Sequence, residues 1–211
     1  MDAGYSSPPP ILREDGTIDK AHDPDLPADL LLRMYRAMSL VRQVDDRCMI
    51  LQRQGRIAFY GASTGEEAAA IGSIAALRDT DWAFPALRQG GALLYRGFPL
   101  RRYFDHMFGN AGSIELGRSM PMHFSDRNER FVTWSSCMAT QLPHAVGMAY
   151  GAKLKGTGEV AIGYLGDGAT SESVGGAPVA SDSCTARVSC SCRSAISACS
   201  LAASQMPRVS R

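Results

Sequence analysis

The run EVAIGYLGDG, residues 159–168, decides how the chain is read. A short apolar stretch bounded by turn residues is the pattern of a strand buried on both faces, as in a parallel sheet. Gly166, Asp167 and Gly168 close it. In open α/β sheets, ligands sit at the carboxyl ends of strands. There the glycines let a backbone approach closely, and Asp167 offers one carboxylate. Magnesium is typically held by one or two carboxylates together with phosphate oxygens, so the triplet suits a magnesium diphosphate. Taken alone the signal is weak, since most strands ending in Gly-Asp-Gly are followed by nothing more than a plain turn.

Outward from this strand the chain reads as helices. Residues 142–154 form a small-residue helix entered through residues 135–141, and Lys155, Gly156, Thr157 and Gly158 turn the chain toward the strand. Residues 109–130, rich in Gly, Ser, Asn and charge, are expected to form a long surface loop. Residues 84–94 read as a loop entering another helix, made irregular by Gly90 and Gly91. Ser63 and Thr64 followed by Glu66 and Glu67 predict a capped helix start for a buried helix over 65–77. Leu30, Met34, Ala37, Val41, Val44, Cys48 and Leu51 recur at spacings of four and three, an apolar stripe on a helix over 28–54. Asp45 is read as lying off that stripe. Helices alternating with a buried strand define an α/β class with an open, mostly parallel sheet.

The 211 residues carry 22 basic and 21 acidic side chains, so no excess charge points to nucleic acid or an anionic membrane surface. No apolar run has the roughly 18 residues of a membrane span. Residues 1–27 are acidic and hold five prolines, which reads as an extended arm rather than a secretory or mitochondrial leader. With reduced cysteines, the expected compartment is the cytoplasm. All 16 aromatics lie at or before Tyr164. Residues 174–211 instead hold nine Ser, seven Ala and four Cys, and are expected to be a disordered low-complexity tail. Cys190 and Cys192 are too close for a C-x₂-C metal hook. His22, His106, His123 and His144 have no zinc-like spacing, and no Ser/His/Asp order stands out.

Five segments in order carry a more specific message: LQRQGRIAFYGASTGEEAAAIGSIAAL (51–77), FPALRQGGALLYRGFPL (84–100), GRSMPMHF (117–124), SSCMATQLPHAVGMAYGAK (135–153) and GYLGDGATSES (163–173). Together they resemble the alpha subunits of thiamine-diphosphate-dependent branched-chain 2-oxo acid dehydrogenases, over about residues 28–173. The resemblance implies a three-layer thiamine-diphosphate-binding α/β fold, partial over 28–173. It also implies a cofactor site. Asp167 would bind Mg²⁺, with Gly166, Gly168 and Ala169 beside the diphosphate. Arg88 would contact that diphosphate, next to Leu87, where relatives often have tyrosine. Ser136 and Met138 would line the pocket, the latter through its carbonyl. Ser135, Cys137, Thr140 and Gln141 would hold K⁺.

The partners implied are a beta subunit in an alpha2beta2 assembly, carrying the carboxylate that activates the aminopyrimidine, and a lipoyl-bearing acyltransferase. The substrate implied is a branched-chain 2-oxo acid. The likeness stops at about Ser173. Family members go on to an Asn-Asn pair holding the second magnesium ligand and to a late histidine, whereas Asn128 and His144 are the last of their kinds here. A C-terminally truncated or frameshifted subunit is therefore expected. The alternatives are an inactive fragment serving in subunit interaction, and a relative acting on pyruvate.

Overall fold

The computed structural model describes residues 11–13, 15–21, 23–166, 168–169 and 186–190. Five helices and three strands follow in the order α1 (Ala28–Arg53), α2 (Glu67–Ala75), β1 (Trp82–Phe84), α3 (Gly90–Tyr95), α4 (Leu100–Phe108), α5 (Gln141–Lys155), β2 (Ala161–Leu165) and β3 (Ala186–Cys190). The strands form one parallel sheet in the order β1-β2-β3. In register, Trp82 pairs with Ala161 and Phe84 with Gly163. β3 lies within the segment read as a disordered tail, so that expectation does not hold for these five residues. Parallel β2 has a second edge to satisfy, and β3 satisfies it. The rest of residues 174–211 falls outside the described residues.

Every residue of β2 is buried, and alternation sends its side chains to two different neighbours. Ile162 and Tyr164 join the main core with Ile71, Ile74, Leu93 and Phe124. Ala161 packs with Ala145 and Ala149 of α5, and Leu165 with Leu142. Tyr164 is buried to 1% exposure, and its hydroxyl lies 2.8 Å from Ser73 Oγ, tying the strand to α2. A hydroxyl at that depth needs such a partner, because an unmet one costs about 1–3 kcal/mol.

α1 has the predicted length, but its buried side differs from the expected stripe. Val41, Val44, Cys48 and Leu51 are buried as predicted, and Asp45 is buried with them. Burial pushes the Cys48 thiol up to about 11, which makes it an inert core residue. The predicted cap of α2 also fails in part, since no side chain caps its first turn. The Ser63 hydroxyl donates to Asp45 instead, at 3.0 Å. Glu67 does reach back, accepting from the Gly65 amide at 2.8 Å.

Residues 109–130 lack regular elements but are no simple surface loop. Met122 and Phe124 are core residues, and Ser113 and Asp126 are buried. β1 and α4 were not resolved by the sequence pattern. Helix α5 matches its prediction closely, and its Pro143 sits in the first turn, where the missing N–H would have no intrahelical partner.

Candidate functional site

Three parallel segments run side by side and deliver chain to one edge of the sheet. β2 ends at Leu165 and continues into Gly166, while β1 ends at Phe84 and leads to Leu87 and Arg88. Beyond β1, Phe131 bridges Ala83 in parallel, with the Ala83 amide donating to the Arg130 carbonyl and the Val132 amide to the Ala83 carbonyl, at 2.8 and 2.9 Å. That third segment delivers residues 134–141 at the same edge. The carboxyl ends of parallel strands thereby gather most of the predicted site.

The gathering is held by contacts. Ala139 and Leu142 form a small buried cluster with Leu165 and Ala169, so the 135–141 loop packs directly on the strand end. The Gln141 carboxamide donates to the Tyr164 carbonyl at 2.5 Å, and the Thr140 hydroxyl to the Cys137 carbonyl at 2.9 Å. Ser135 Oγ accepts from the Cys137 amide at 3.2 Å. Ala139 adopts a left-handed backbone, φ 64°, that turns the loop back on itself. Ser136, Cys137 and Met138 are exposed on it. Two oxygens expected to share a cation, Cys137 O and Thr140 Oγ1, are thus adjacent.

Arg88 joins from β1. Its guanidinium donates to the Ala62 carbonyl and lies 3.6 Å from Glu66 Oε1, with the side chain 45% exposed. Leu87 packs against Gly61, where an added Cβ would come within 3.1 Å of its side chain. The loop beneath Arg88 is pinned from α1. Asp45, at 2% exposure, accepts from the Tyr60 hydroxyl at 2.6 Å and from the Ser63 amide at 2.8 Å. Burial, with Asp45 beside it, pushes the Tyr60 hydroxyl far above its ordinary value. Glu67 pairs with Arg42 at 2.5 Å; burial pushes its carboxyl up, but the Arg42 and Gly65 hydrogen bonds outweigh that and hold it low.

The sequence reading missed two contributors. Asp45 reads in sequence as an off-stripe charge; its only signal is a carboxylate beside Val44 and Cys48. His123 reads in sequence as one of four isolated histidines, though it lies inside the GRSMPMHF segment. Its ring stacks on Trp134 with centroids 4.0 Å apart, and its Nε2 lies 3.0 Å from Ser136 Oγ. The Trp134 indole donates to the Met122 carbonyl at 2.8 Å, and Met122 Sδ accepts from the Gly61 amide. Residues 120–123 therefore bridge the Arg88 loop and the Ser136 loop.

These residues fit a diphosphate-bearing group. Arg88 presents a partly exposed guanidinium, the natural fork for phosphate oxygens, and among the described residues a Cβ at Gly166 or Gly168 would meet nothing within 4 Å. Asp167, the predicted magnesium ligand, lies outside the described residues. Among the described residues no cluster of three His, Cys, Asp or Glu side chains forms a separate metal centre. Nor is any helix among them long and apolar enough to cross a membrane.

The chain belongs to the family described as dehydrogenase E1 component, whose model matches residues 35–175. It is 44% identical over 160 residues to the 2-oxoisovalerate dehydrogenase subunit alpha, mitochondrial, of Bos taurus, covering 76% of this chain and 35% of that one. The Homo sapiens subunit of the same name is 42% identical over 160 residues, covering 76% of this chain and 36% of the human one. The Caenorhabditis elegans subunit is 44% identical over 156 residues, covering 74% of this chain and 36% of its own. The chain thus spans about a third of the length of the relatives it matches. Membership of the family implies thiamine diphosphate as cofactor.

Proposed function

We propose that this chain is the alpha subunit of a branched-chain 2-oxo acid dehydrogenase. With a beta subunit, in an alpha2beta2 assembly, it takes part in oxidative decarboxylation of branched-chain 2-oxo acids and transfer of the acyl unit to the lipoyl group of an acyltransferase. The observation that carries this reading is the packing of Ala139 and Leu142 of the 135–142 segment on Leu165 and Ala169 at the end of β2. When bound, thiamine diphosphate supplies the nucleophilic carbon and electron sink that 2-oxo acid decarboxylation requires.

The chain's own residues bind and orient. Arg88 holds the diphosphate, Asp167 ligates Mg²⁺, and Gly166, Gly168 and Ala169 give close backbone approach. Ser136 and Met138 line the pocket. K⁺ is held by the Ser135 and Cys137 carbonyls with Thr140 and Gln141, a set of oxygen ligands suited to a hard cation. The domain plan is an N-terminal arm over 1–27, a three-layer cofactor domain over 28–173 and a tail over 174–211. A reducing compartment, the cytoplasm in this reading, suits the free thiols of Cys48 and Cys137.

The test is a titration of the full chain and its beta subunit with thiamine diphosphate and Mg²⁺, followed by decarboxylation of 3-methyl-2-oxobutanoate against pyruvate. Binding, and faster turnover of the branched acid, are expected. Arg88→Ala should weaken cofactor binding about 10- to 100-fold, the worth of a hydrogen bond to a charged group. Absence of binding overturns the reading; preference for pyruvate replaces the substrate. Binding without turnover favours a non-catalytic subunit-interaction protein, a reading supported by the lack of any asparagine in residues 174–211.

A further inference from the structure

A serine hydroxyl donates one hydrogen bond, so the neighbour that takes its proton decides what the oxygen offers a ligand. For Ser136 that neighbour is His123, whose Nε2 lies 3.0 Å from Oγ. His123 Nδ1 lies 3.1 Å from the Pro121 carbonyl oxygen, which can only accept. Nδ1 therefore carries the ring proton, and the neutral ring is left with Nε2 as an acceptor. The ring has little freedom to reverse this. It is stacked on Trp134 with 14° between the planes, and Trp134 is itself held by its bond to the Met122 carbonyl. Met122 is buried at 3% exposure, so the whole support is anchored in the core.

We propose that His123 is a positioning residue: it accepts the Ser136 proton, and so turns the Ser136 oxygen into a hydrogen-bond acceptor for a ligand N–H, such as the exocyclic amine of an aminopyrimidine. The inference rests on the proposed function in taking Ser136 as a pocket residue. It goes further by fixing the polarity of that position, which receives a donor and disfavours an oxyanion. The stacked ring, rather than Ser136 itself, enforces this choice.

Two measurements test it. In ¹⁵N NMR of the full chain, with the His123 signals identified by their loss in His123→Gln, the ring is expected as the Nδ1–H tautomer. Its Nε2 resonance should shift when Ser136→Ala removes the donor. An Nε2–H tautomer, or no response to Ser136→Ala, overturns the proposal. In the complex with its beta subunit, His123→Leu should weaken thiamine diphosphate binding about tenfold, the worth of one hydrogen bond. His123→Gln, whose carboxamide oxygen can take the same proton, should bind within about twofold of the unaltered protein by the same reasoning. Equal binding by both variants overturns the proposal. If the unaltered complex binds no thiamine diphosphate, the functional reading falls, while the tautomer measurement still decides the role of His123.

Discussion

Asp81 packs most of its stability role into one carboxylate. It is 2% exposed and accepts from the Val160 amide at 2.9 Å, the Arg78 amide at 2.9 Å and the Arg78 guanidinium at 2.9 Å. Burial pushes its carboxyl up, but the Arg78 and Val160 hydrogen bonds more than reverse this and hold it below the ordinary value of 3.8. The folded protein thus binds fewer protons than the unfolded chain at acid pH. This contribution to stability is fully present above about pH 4 and is lost as pH falls through the depressed folded value. Asp81→Asn should lower stability at neutral pH by about 1–3 kcal/mol and flatten the loss on acidification. Urea midpoints followed from neutral to acid pH check this, and parallel acid slopes for both proteins would contradict it. At this scale the sequence offers candidates only where a motif surrounds the residue, as it does for Arg88 and the 135–141 loop. Asp45 stayed hidden because its partners Tyr60 and Ser63 lie 15 and 18 residues away and only folding brings them together.

Long periodic elements were legible and short ones were not. α1 and α5 span 26 and 15 residues, enough turns for an apolar stripe to repeat. β1 spans three residues, too few for any alternation, so the second strand of the sheet escaped. β2 was readable because it is buried throughout and closed by glycines. Its own Gly163 marks where α5 comes down on the sheet. A Cβ there would stand 3.2 Å from Leu142 Cδ2 and 3.6 Å from the Ala145 Cβ. Gly163→Val adds two more carbons into that contact and should cost about 1–3 kcal/mol through overpacking. A lowered thermal midpoint measures it; an unchanged midpoint would mean that α5 does not seat on β2 as described.

Across the whole molecule, the α/β class could be read from sequence, but the convergence of the candidate segments could not. It depends on β1 and the Phe131 bridge, neither of which leaves a periodic trace. On α5, Tyr150 and Leu154 are 56% and 71% exposed, and Gly147 and Gly151 have open space where a Cβ would stand. An apolar helix face of this kind favours association in water. The chain purified alone should therefore sediment as species larger than a monomer, and a Tyr150→Lys, Leu154→Lys double variant should shift it toward the monomer. Identical sedimentation of the two proteins would place the sticky surface elsewhere.

The bridge at residues 120–123 gives the molecule an internal record of its own motion. Met120 and Met138 are 57% and 59% exposed, whereas Met122, whose sulfur accepts from the Gly61 amide, is 3% exposed. A peroxide reaches the first two thioethers directly. It reaches the third only while the segment lifts away from Gly61, so sulfoxide at Met122 accumulates at the pace of that lifting. Because the same segment carries His123, the oxidation clock of one sulfur also counts how often Ser136 loses its partner.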